Sequence, residues 1–299
     1  MTDSCVIVEA PAKINIFLGV LNERDMRGYH RVDSVMNCVD LCDIVTVQKT
    51  PGHPLCVQTI PSTSFPQESN TAYIAAQKFA AMTGNSSEFL ISIEKHIPIK
   101  SGMGGPSADA AATLYALCKF WDINVKSGKI IQLAQSIGAD VPFFLYGGLC
   151  YMKGAGDEFA ESFSSLGNKP LVILKPREGG VSSIDAYRRF DETCPPIGNF
   201  GAMRKALLSN DIKAVLSMIS NNLEPVAIDL FPECGRMLKW LRIQKGVLTA
   251  HITGSGACAF AFTNSYESAN RIVEGALNTE PWWGCVTHTR DVGLCEASF

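Results

Sequence analysis

The stretch IPIKSGMGGPSADAAATLYAL, residues 97–117, most constrains the fold because it joins a glycine-rich loop to an alanine-rich segment. Glycine weakens ordinary helices and strands, so three glycines within four residues indicate a turn or a close backbone approach. Alanine favours helix, and Ser107, which follows Pro106, is a typical N-cap residue. The stretch therefore predicts a flexible loop that leads directly into the N-terminus of a helix.

Two interpretations of this loop remain open from the residues alone. A helix N-terminus offers unpaired N–H groups and partial positive charge, which suit a phosphate. Glycines before a helix can equally serve tight packing of that helix against a sheet. The loop is not a Walker A motif, it lacks the last glycine of a dinucleotide fingerprint, and the kinase motifs HRD and DFG are absent. A phosphate-binding loop here would belong to another class.

Composition excludes several functional classes. The net charge of −3 over 299 residues lacks the basic excess that a nucleic-acid backbone requires, although free nucleotides remain possible ligands. The 11 cysteines are odd in number and irregularly spaced, so we expect reduced, largely buried thiols. There is no CxxC pair to favour a zinc site. No signal-like or membrane-spanning run is found, which predicts a cytoplasmic protein without membrane contact.

The hydrophobic pattern predicts alternating strands and helices. CVIVEA, KINIFLGV and CDIVTV are typical of strands, and a helix is expected between Asn70 as N-cap and Gly84 as terminator. In the second strand, strict alternation would place Lys13, Asn15 and Phe17 on one face, and Ile14, Ile16 and Leu18 on the other.

The later part of the chain follows the same mixed pattern. KIIQLAQSI predicts a helix that stops at Gly138, and further helices are expected near 183–190, 200–220 and 232–242. LTAHITGSGACAFAF predicts two strands joined by a glycine turn, followed by a last helix and a strand near GCVTHT. A polar stretch, ESFSSLGNKP, predicts a domain boundary that divides the chain into residues 1–165 and 166–299.

Three groups of residues could support phosphoryl transfer, and each has a plainer alternative. Lys13 lies in an apolar strand, where it would need an anionic partner, or it is an exposed lysine at a sheet edge. Asp140, just before Pro142, is either a turn or cap residue or a carboxylate held near Lys13 to receive a hydroxyl proton. Tyr29 and His30 form a surface turn or a shelf for a planar ligand.

Taken together, PAKINIFL, GYH, GMGGPSADAAA, GADVPFFL and TGSGACAF resemble the GHMP kinases, in this order and over nearly the full length. The glycine loop and the GSG turn are typical of the superfamily as a whole. PAKxN, GYH and GADVP are similar to members that phosphorylate a cytidylyl sugar alcohol in isoprenoid biosynthesis. The combination is far more specific than any one of these motifs.

The resemblance implies an α+β, two-domain fold, with an N-terminal domain of ribosomal-protein-S5-like topology, a C-terminal GHMP α/β domain and a substrate cleft between them. It implies ATP and Mg²⁺ as cofactors and a small molecule as substrate. Lys13 and Asp140 match the family's catalytic pair, Asn15 and His30 match substrate contacts, and Tyr29 with Tyr187 would sandwich the cytosine ring. The residues matching the family's ATP-phosphate loop are Pro98, Ile99, Lys100, Ser101, Gly102, Met103, Gly104, Gly105, Pro106, Ser107 and Ala108.

The loop departs from the commoner family pattern, Gly-Leu-Gly-Gly-Gly-Ser-Ser-Asp, at Met103, Pro106 and Ala108. Pro106 removes one N–H donor and Ala108 removes one hydroxyl, which bears on nucleotide affinity and Mg²⁺ ligation but not on the reaction class. The alternatives are a GHMP kinase for homoserine or mevalonate, and a catalytically inactive ligand sensor. Retention of Lys13 and Asp140 argues against the sensor. The sequence leaves the oligomeric state open.

Overall fold

The computed structural model describes residues 4–62 and 65–297. The strands are β1 Cys5–Arg24, β2 His30–Lys49, β3 Cys56–Ile60, β4 Phe89–Glu94, β5 Leu149–Lys153, β6 Glu158–Ser162, β7 Pro170–Pro176, β8 Ser220–Asn221, β9 Val247–Ile252, β10 Ala259–Thr263, β11 Trp282–Arg290 and β12 Cys295–Glu296. The helices are α1 Thr71–Thr83, α2 Gly105–Phe120, α3 Gly128–Gln135, α4 Val141–Tyr146, α5 Ser183–Thr193, α6 Phe200–Leu208, α7 Ile212–Ser217, α8 Glu224–Leu230, α9 Glu233–Arg242 and α10 Tyr266–Thr279, with a 3₁₀ turn at Gln67–Ser69.

The sheet is built around the antiparallel pair β1 and β2, each 20 residues long. Strands β4 and β5 extend this pair, and β3 and β6 pair with them in turn. The sheet then continues through β11, which pairs briefly with β2 and extensively with β7, to β10 and finally β9. Two short strands from the second half, β8 and β12, both pair with β1. Strand β1 is therefore in contact with both halves of the chain.

Helix α1 confirms its predicted bounds. The Asn70 side chain accepts a hydrogen bond from the Ala72 N–H, and Gly84 ends the helix in the left-handed conformation at φ 71°. The predicted start of α2 was wrong, because the helix begins at Gly105 with Gly104 as its N-cap. Ser107 lies within the first turn. The left-handed backbone of Gly104 starts the helix without a side-chain cap.

The predicted alternation along β1 was also wrong, because a β-bulge lies between Asn15 and Phe17. Asn15 pairs with Met36 and Phe17 with Val35, so one residue of β1 is extra. Phe17 consequently packs in the same apolar cluster as Ile14 and Ile16. Leu18 takes its place beside Lys13 and Asn15. The bulge thus brings the aliphatic side chain of Leu18 to the polar face, while the Phe17 ring packs in the core.

Other differences concern short elements. The predicted first two strands are one continuous strand, and β2 begins at His30, well before CDIVTV. The helix expected at 200–220 is two helices, α6 and α7. The Asp211 side chain caps the start of α7 by accepting a hydrogen bond from the Ala214 N–H. The sequence pattern did not predict strands β3, β5, β6, β8 and β12 or helices α4 and α8. The boundary at 165 lies between β6 and β7 and stays a prediction.

Three apolar clusters form the core. One lies between the β1–β2 sheet and helices α1–α4, and a second between β7, β9, β10 and helices α5, α8, α9 and α10. The third joins residues of both halves, including Ile14, Phe17, Ile173 and Phe260. Cys150, in the apolar run GLCYM, and Cys258, in the apolar run GACAFAF, are buried free thiols, whereas Cys56 and Cys194 are exposed.

We expect Asn222→Ala to lower the free energy of unfolding by about 1–3 kcal/mol, measured by urea denaturation. Buried Asn222 accepts from the Val20 N–H at 2.8 Å and donates to the Val20 carbonyl at 3.0 Å, so its removal leaves buried backbone groups of β1 unpaired. Asn278→Ala, at an exposed position of α10, is the matched control and should change stability by less than about 0.5 kcal/mol. Equal effects of the two variants would contradict this account.

Candidate active site

A cleft of about 880 Å³ opens where β1, the loop before α2 and α5 meet. Most of the predicted site residues line it. These are Lys13, Asn15, Tyr29, His30, Pro98, Lys100, Ser101, Gly102, Gly104, Gly105, Pro106, Ser107, Asp140 and Tyr187. Ile99, Met103 and Ala108 do not line it. Residues from both halves of the chain, more than 100 positions apart, are therefore brought to one cavity.

Lys13 and Asp140 meet in this cleft. The Lys13 ammonium is 4% exposed and lies 3.8 Å from the Asp140 carboxylate, which is 35% exposed. Burial lowers the pKa of Lys13, and the charge of Asp140 opposes that change. Asp140 occupies the N-cap position of α4, yet its side chain makes no capping bond. The lysine is therefore not an exposed edge residue, and the carboxylate is available to the cleft.

Asn15 is the centre of a buried polar network. Its Oδ1 accepts hydrogen bonds from Lys13 Nζ at 2.7 Å, Gly254 N–H at 2.9 Å and Thr253 Oγ1 at 3.1 Å. Its Nδ2 donates to Ser34 Oγ at 3.1 Å. Asn15 thus connects β1 and β2 to the turn Thr253–Gly256, which we call the TGSG turn. In this structure the Asn15 amide oxygen holds Lys13 in place and is saturated by protein donors.

Close packing requires glycine at two positions of the loop before α2, because a Cβ there would clash with neighbouring atoms. A Cβ on Gly102, at φ 73°, would lie 2.4 Å from the Thr253 carbonyl oxygen, and one on Gly104, at φ 77°, would lie 2.8 Å from the Phe144 ring. The loop is also bonded to β1, since Lys13 N–H donates to the Met103 carbonyl at 3.0 Å. Close packing and a backbone that faces the cleft therefore occur together, and the two interpretations of the loop do not exclude each other.

The three departures from the family loop have different structural settings. The side chains of Met103 and Ala108 are fully buried in the core. A hydroxyl at position 108 would thus point away from the cleft. Pro106 lies in the first turn of α2, where a missing N–H breaks no helical hydrogen bond. Ile99 is exposed, and the backbone of Lys100 is left-handed at φ 52°.

Tyr29, His30 and Tyr187 form the aromatic end of the cleft. Tyr29 is 61% exposed, whereas the His30 ring is buried and stacks on Tyr187 with centroids 5.6 Å apart. His30 Nδ1 lies 2.7 Å from the Leu21 carbonyl, which can only accept, so Nδ1 carries a hydrogen. Burial raises the pKa of Tyr187 to about 12. The His30 ring thus covers one face of Tyr187.

Sequence reasoning missed several residues around the cleft. Asp191 on α5 lies 2.6 Å from Arg24 Nη2 and 2.9 Å from His30 Nε2, and it joins the aromatic end to the second half of the chain. An acidic residue on a polar helix face carries no local signal for this role. Thr253 and Gly254 belong to the TGSG motif, so the sequence predicts that they lie in a turn between two strands. It does not predict their hydrogen bonds to Asn15.

A buried charge cluster lies directly behind the glycine loop. Lys95 Nζ contacts Asp43 and lies 2.6 Å from Asp109 Oδ2. Asp43 also accepts from the backbone N–H groups of His96 and Ile97. Burial raises the pKa of Asp109 to about 8; Lys95 opposes this shift and Asp43 adds to it. Two carboxylates thus share one ammonium, and they fix the start of α2 relative to β2.

Two searches of the described residues gave no match. Within residues 4–62 and 65–297, no three His, Cys, Asp or Glu side chains converge as a metal-binding group. Over the same ranges, none of the helices combines the length and apolar character that crossing a bilayer demands.

Comparison with known proteins relates the whole chain to one family. The profile of the GHMP kinases N terminal domain matches residues 70–148, and that of the GHMP kinases C terminal domain matches residues 203–279. The 4-diphosphocytidyl-2-C-methyl-D-erythritol kinase of Desulfitobacterium hafniense is 35% identical over 95% of this chain and 96% of its own length. The enzyme of that name from Mycolicibacterium gilvum is 34% identical over 87% of this chain and 83% of its own.

Solved structures show the same architecture. A crystal structure of 4-(cytidine 5'-diphospho)-2C-methyl-D-erythritol kinase superposes with a TM-score of 0.75 at 28% identity, over 94% of this chain and 99% of that one. Homoserine kinase from Cytophaga hutchinsonii has a TM-score of 0.77 at 20% identity, over 99% of this chain and 98% of its own. The second likeness concerns the fold alone. The expected α+β fold with GHMP kinase N- and C-terminal domains is thereby confirmed.

Asp109→Asn should change how stability depends on pH. Because its pKa is raised, the folded protein keeps a proton that the unfolded chain releases, so this contribution to stability is lost as pH rises from about 4 to about 8. Asparagine cannot ionise. We therefore expect the free energy of unfolding of the variant to rise relative to wild type between pH 5 and 8, by up to about 1.4 kcal/mol per pH unit.

The measurement is urea denaturation at four pH values. Asp229→Asn, at an exposed carboxylate, is the control and should differ from wild type by the same amount at every pH. A pH-independent difference for Asp109→Asn would mean that Asp109 is ionised throughout this range.

Proposed function

We propose that this chain, which belongs to the GHMP kinase family and within it to the 4-diphosphocytidyl-2-C-methyl-D-erythritol kinases, transfers the γ-phosphoryl group of ATP to the 2-hydroxyl of 4-(cytidine 5'-diphospho)-2-C-methyl-D-erythritol. This reaction belongs to the non-mevalonate isoprenoid pathway. The observation that carries the proposal is the Lys13–Asp140 pair, 3.8 Å apart at the wall of the cleft that the glycine loop also lines. Similarity over nearly the whole length to enzymes of this name supports the acceptor.

Asp140 acts on the acceptor hydroxyl. A carboxylate is a weak base for an alcohol, so Asp140 chiefly orients the hydroxyl and takes the proton late, as the phosphoryl group leaves ATP in a loose transition state. Lys13, 3.8 Å from this carboxylate, orients it and places positive charge beside the transferring group. Asn15 fixes the ammonium through its 2.7 Å hydrogen bond and contributes to the acceptor end of the cleft.

The glycine loop and the start of α2 receive the phosphates of ATP. The first backbone N–H groups of a helix have no partner within the helix, and here Pro106 leaves those on either side, at Gly105 and Ser107, as donors. Lys100 is exposed at the loop and supplies a cation. The side chains of Met103 and Ala108 take no part, because both are buried in the core.

Mg²⁺ accompanies ATP in this proposal. The cleft suits an ion that keeps phosphate and water oxygens as most of its ligands, because the Ser107 hydroxyl and the Asp140 carboxylate are oxygen donors that line it. Bound there, Mg²⁺ would neutralise charge on the phosphates. Since ATP is its co-substrate, we also keep the predicted cytoplasmic location as part of the proposal.

The cytidine end of the substrate is bound by the aromatic end of the cleft. Tyr29 offers an exposed ring for stacking on cytosine, and Tyr187, supported by His30, forms the facing wall. His30 Nε2 makes no hydrogen bond within the described residues, although Asp191 Oδ1 lies 2.9 Å away, and it is the group that meets the polar edge of the base. Binding energy from this remote end holds the 2-hydroxyl in line with ATP, which raises turnover as well as affinity.

A coupled assay of ADP release tests the proposed acceptor. The purified protein should release ADP with 4-(cytidine 5'-diphospho)-2-C-methyl-D-erythritol and not with homoserine or mevalonate, and ³¹P NMR should show the new phosphate on the 2-hydroxyl. Methylerythritol phosphate without the cytidine should be a very poor substrate. Faster ADP release with homoserine or mevalonate would contradict the proposed acceptor and would show a GHMP kinase that acts on a different substrate.

Asp140→Asn should lower kcat by about 100-fold or more, because the amide keeps the shape but loses the proton acceptor. Lys13→Met should lower kcat comparably, and the double variant should be little worse than either single variant, because the two side chains act as one unit. Lys119→Met removes an exposed lysine paired with Glu296 and serves as the control, with unchanged kcat. Additive losses, measured in steady-state assays, would show that Lys13 and Asp140 act independently.

A further inference from the structure

The loop Asp25–Tyr29 between β1 and β2, which we call the hairpin tip, carries the most exposed aromatic ring of the cleft wall. Tyr29 is 61% exposed and its neighbour Met26 is fully exposed. A ring on a free loop would lose much motional freedom when a ligand stacks on it, and this loss would weaken binding. The contacts that hold the tip therefore bear directly on the affinity of the site.

Arg27 makes the side-chain contacts that hold the tip against the β5–β6 turn, while Arg24 Nη1 donates to the Gly28 carbonyl at 2.7 Å. Arg27 Nη2 lies 2.7 Å from Asp25 Oδ2 and 2.7 Å from Asp157 Oδ2, and its Nε donates to Asp25 Oδ2 at 2.8 Å. Asp25 in turn accepts from the Tyr29 N–H at 3.0 Å. The Arg27 guanidinium lies 5.4 Å from the centre of the Tyr29 ring, within cation–π range. One face of the ring thus rests on a cation.

Asp157 makes this arrangement rigid. Its carboxylate is 2% exposed, and Arg27 is its only cationic partner among the described residues. Its Oδ1 accepts from the Ala155 N–H at 3.1 Å, and its carbonyl accepts from Gln135 Nε2 at 3.0 Å. A buried carboxylate that lost its cation would be strongly unfavourable, so Arg27 is held against the β5–β6 turn. Neither Arg27 nor Asp157 lines the cleft.

We propose that Arg27 and Asp157 are positioning residues that support Tyr29 from behind and leave its opposite face ready for a cytosine ring. The inference rests on the proposed function, since cytosine is the ligand assigned to this end of the cleft. The two residues act through the ring without touching the substrate. Their effect falls on affinity for the cytidine moiety, and ATP binding at the glycine loop is left unchanged.

A purely structural role predicts something different. If the Arg27–Asp157 pair only stabilised the hairpin, its loss would lower the unfolding temperature and weaken both ligands together. The double variant Arg27→Gln/Asp157→Asn separates the two possibilities, because it removes the cation and the buried charge of Asp157 at the same time. The partly exposed Asp25 carboxylate loses its cation but keeps its hydrogen bonds from the backbone N–H groups of Arg27 and Tyr29. Asp157→Asn alone keeps the shape of the β5–β6 turn and its acceptor oxygen for Ala155.

The test is calorimetric binding of cytidine 5'-diphosphate and of a non-hydrolysable ATP analogue to wild type, Asp157→Asn, Arg27→Gln/Asp157→Asn and Tyr29→Ala. Both variants of the pair should weaken binding of cytidine 5'-diphosphate by about 3- to 10-fold and leave the ATP analogue unaffected. With the full substrate, kcat/KM should fall by at least a similar factor, since this end of the cleft also holds the 2-hydroxyl in line, while KM for ATP stays unchanged. Glu161→Gln, which alters another carboxylate–arginine pair, with Arg204, is the matched control and should change neither affinity.

A combination with Tyr29→Ala decides whether the pair acts through the ring. In that background, Arg27→Gln/Asp157→Asn should cause no further loss of cytidine 5'-diphosphate affinity. Additive losses, equal losses for both ligands, or unchanged affinity in the pair variants would each overturn the positioning role. If wild type itself fails to bind cytidine 5'-diphosphate, the proposed function and this inference fall together. Normal wild-type binding with unaffected variants overturns the inference alone.

Discussion

The buried ammonium of Lys13 is the constraint on which the rest of the site depends. An ammonium that is 4% exposed needs compensating groups, and Asn15 Oδ1 and the Asp140 carboxylate provide them. Asn15 lies on the same face of β1 as Lys13 by ordinary strand alternation, and the bulge that follows it sends Phe17 into the core and brings Leu18 to the cleft. The same amide binds the TGSG turn, so one polar network locates the lysine, the carboxylate and the second half of the chain relative to each other.

The glycine loop lies within this network and owes its composition to crowding on its inner side. Gly102 fits against the Thr253 carbonyl, and Gly104 fits against Phe144 and Lys13, where no side chain could be placed. The outer side of the same backbone faces the cleft. Behind the loop, Lys95 shared between Asp43 and Asp109 fixes the start of α2. The loop that we propose to bind phosphate is thus held in place by contacts within the protein.

The aromatic end of the cleft is organised by charge pairs that span distant parts of the chain. Arg24 and His30 meet Asp191 of α5, and Arg27 meets Asp157 of the β5–β6 turn. The hairpin tip is therefore tied to both halves of the molecule, although it has little apolar contact of its own. The fold is shared with homoserine and mevalonate kinases, so the fold alone does not determine the acceptor.

The sequence by itself determined the features that depend on neighbouring residues. Asn70 and Gly84 bound α1 because an N-cap amide and a left-handed glycine act within one turn, and the ordered motifs identified the family. Only the tertiary structure decided that Lys13 meets Asp140, that a bulge exchanges Phe17 for Leu18, and that Arg27 finds Asp157. These contacts join residues far apart in sequence, and strand register and burial, which no local pattern encodes, decide which of them form.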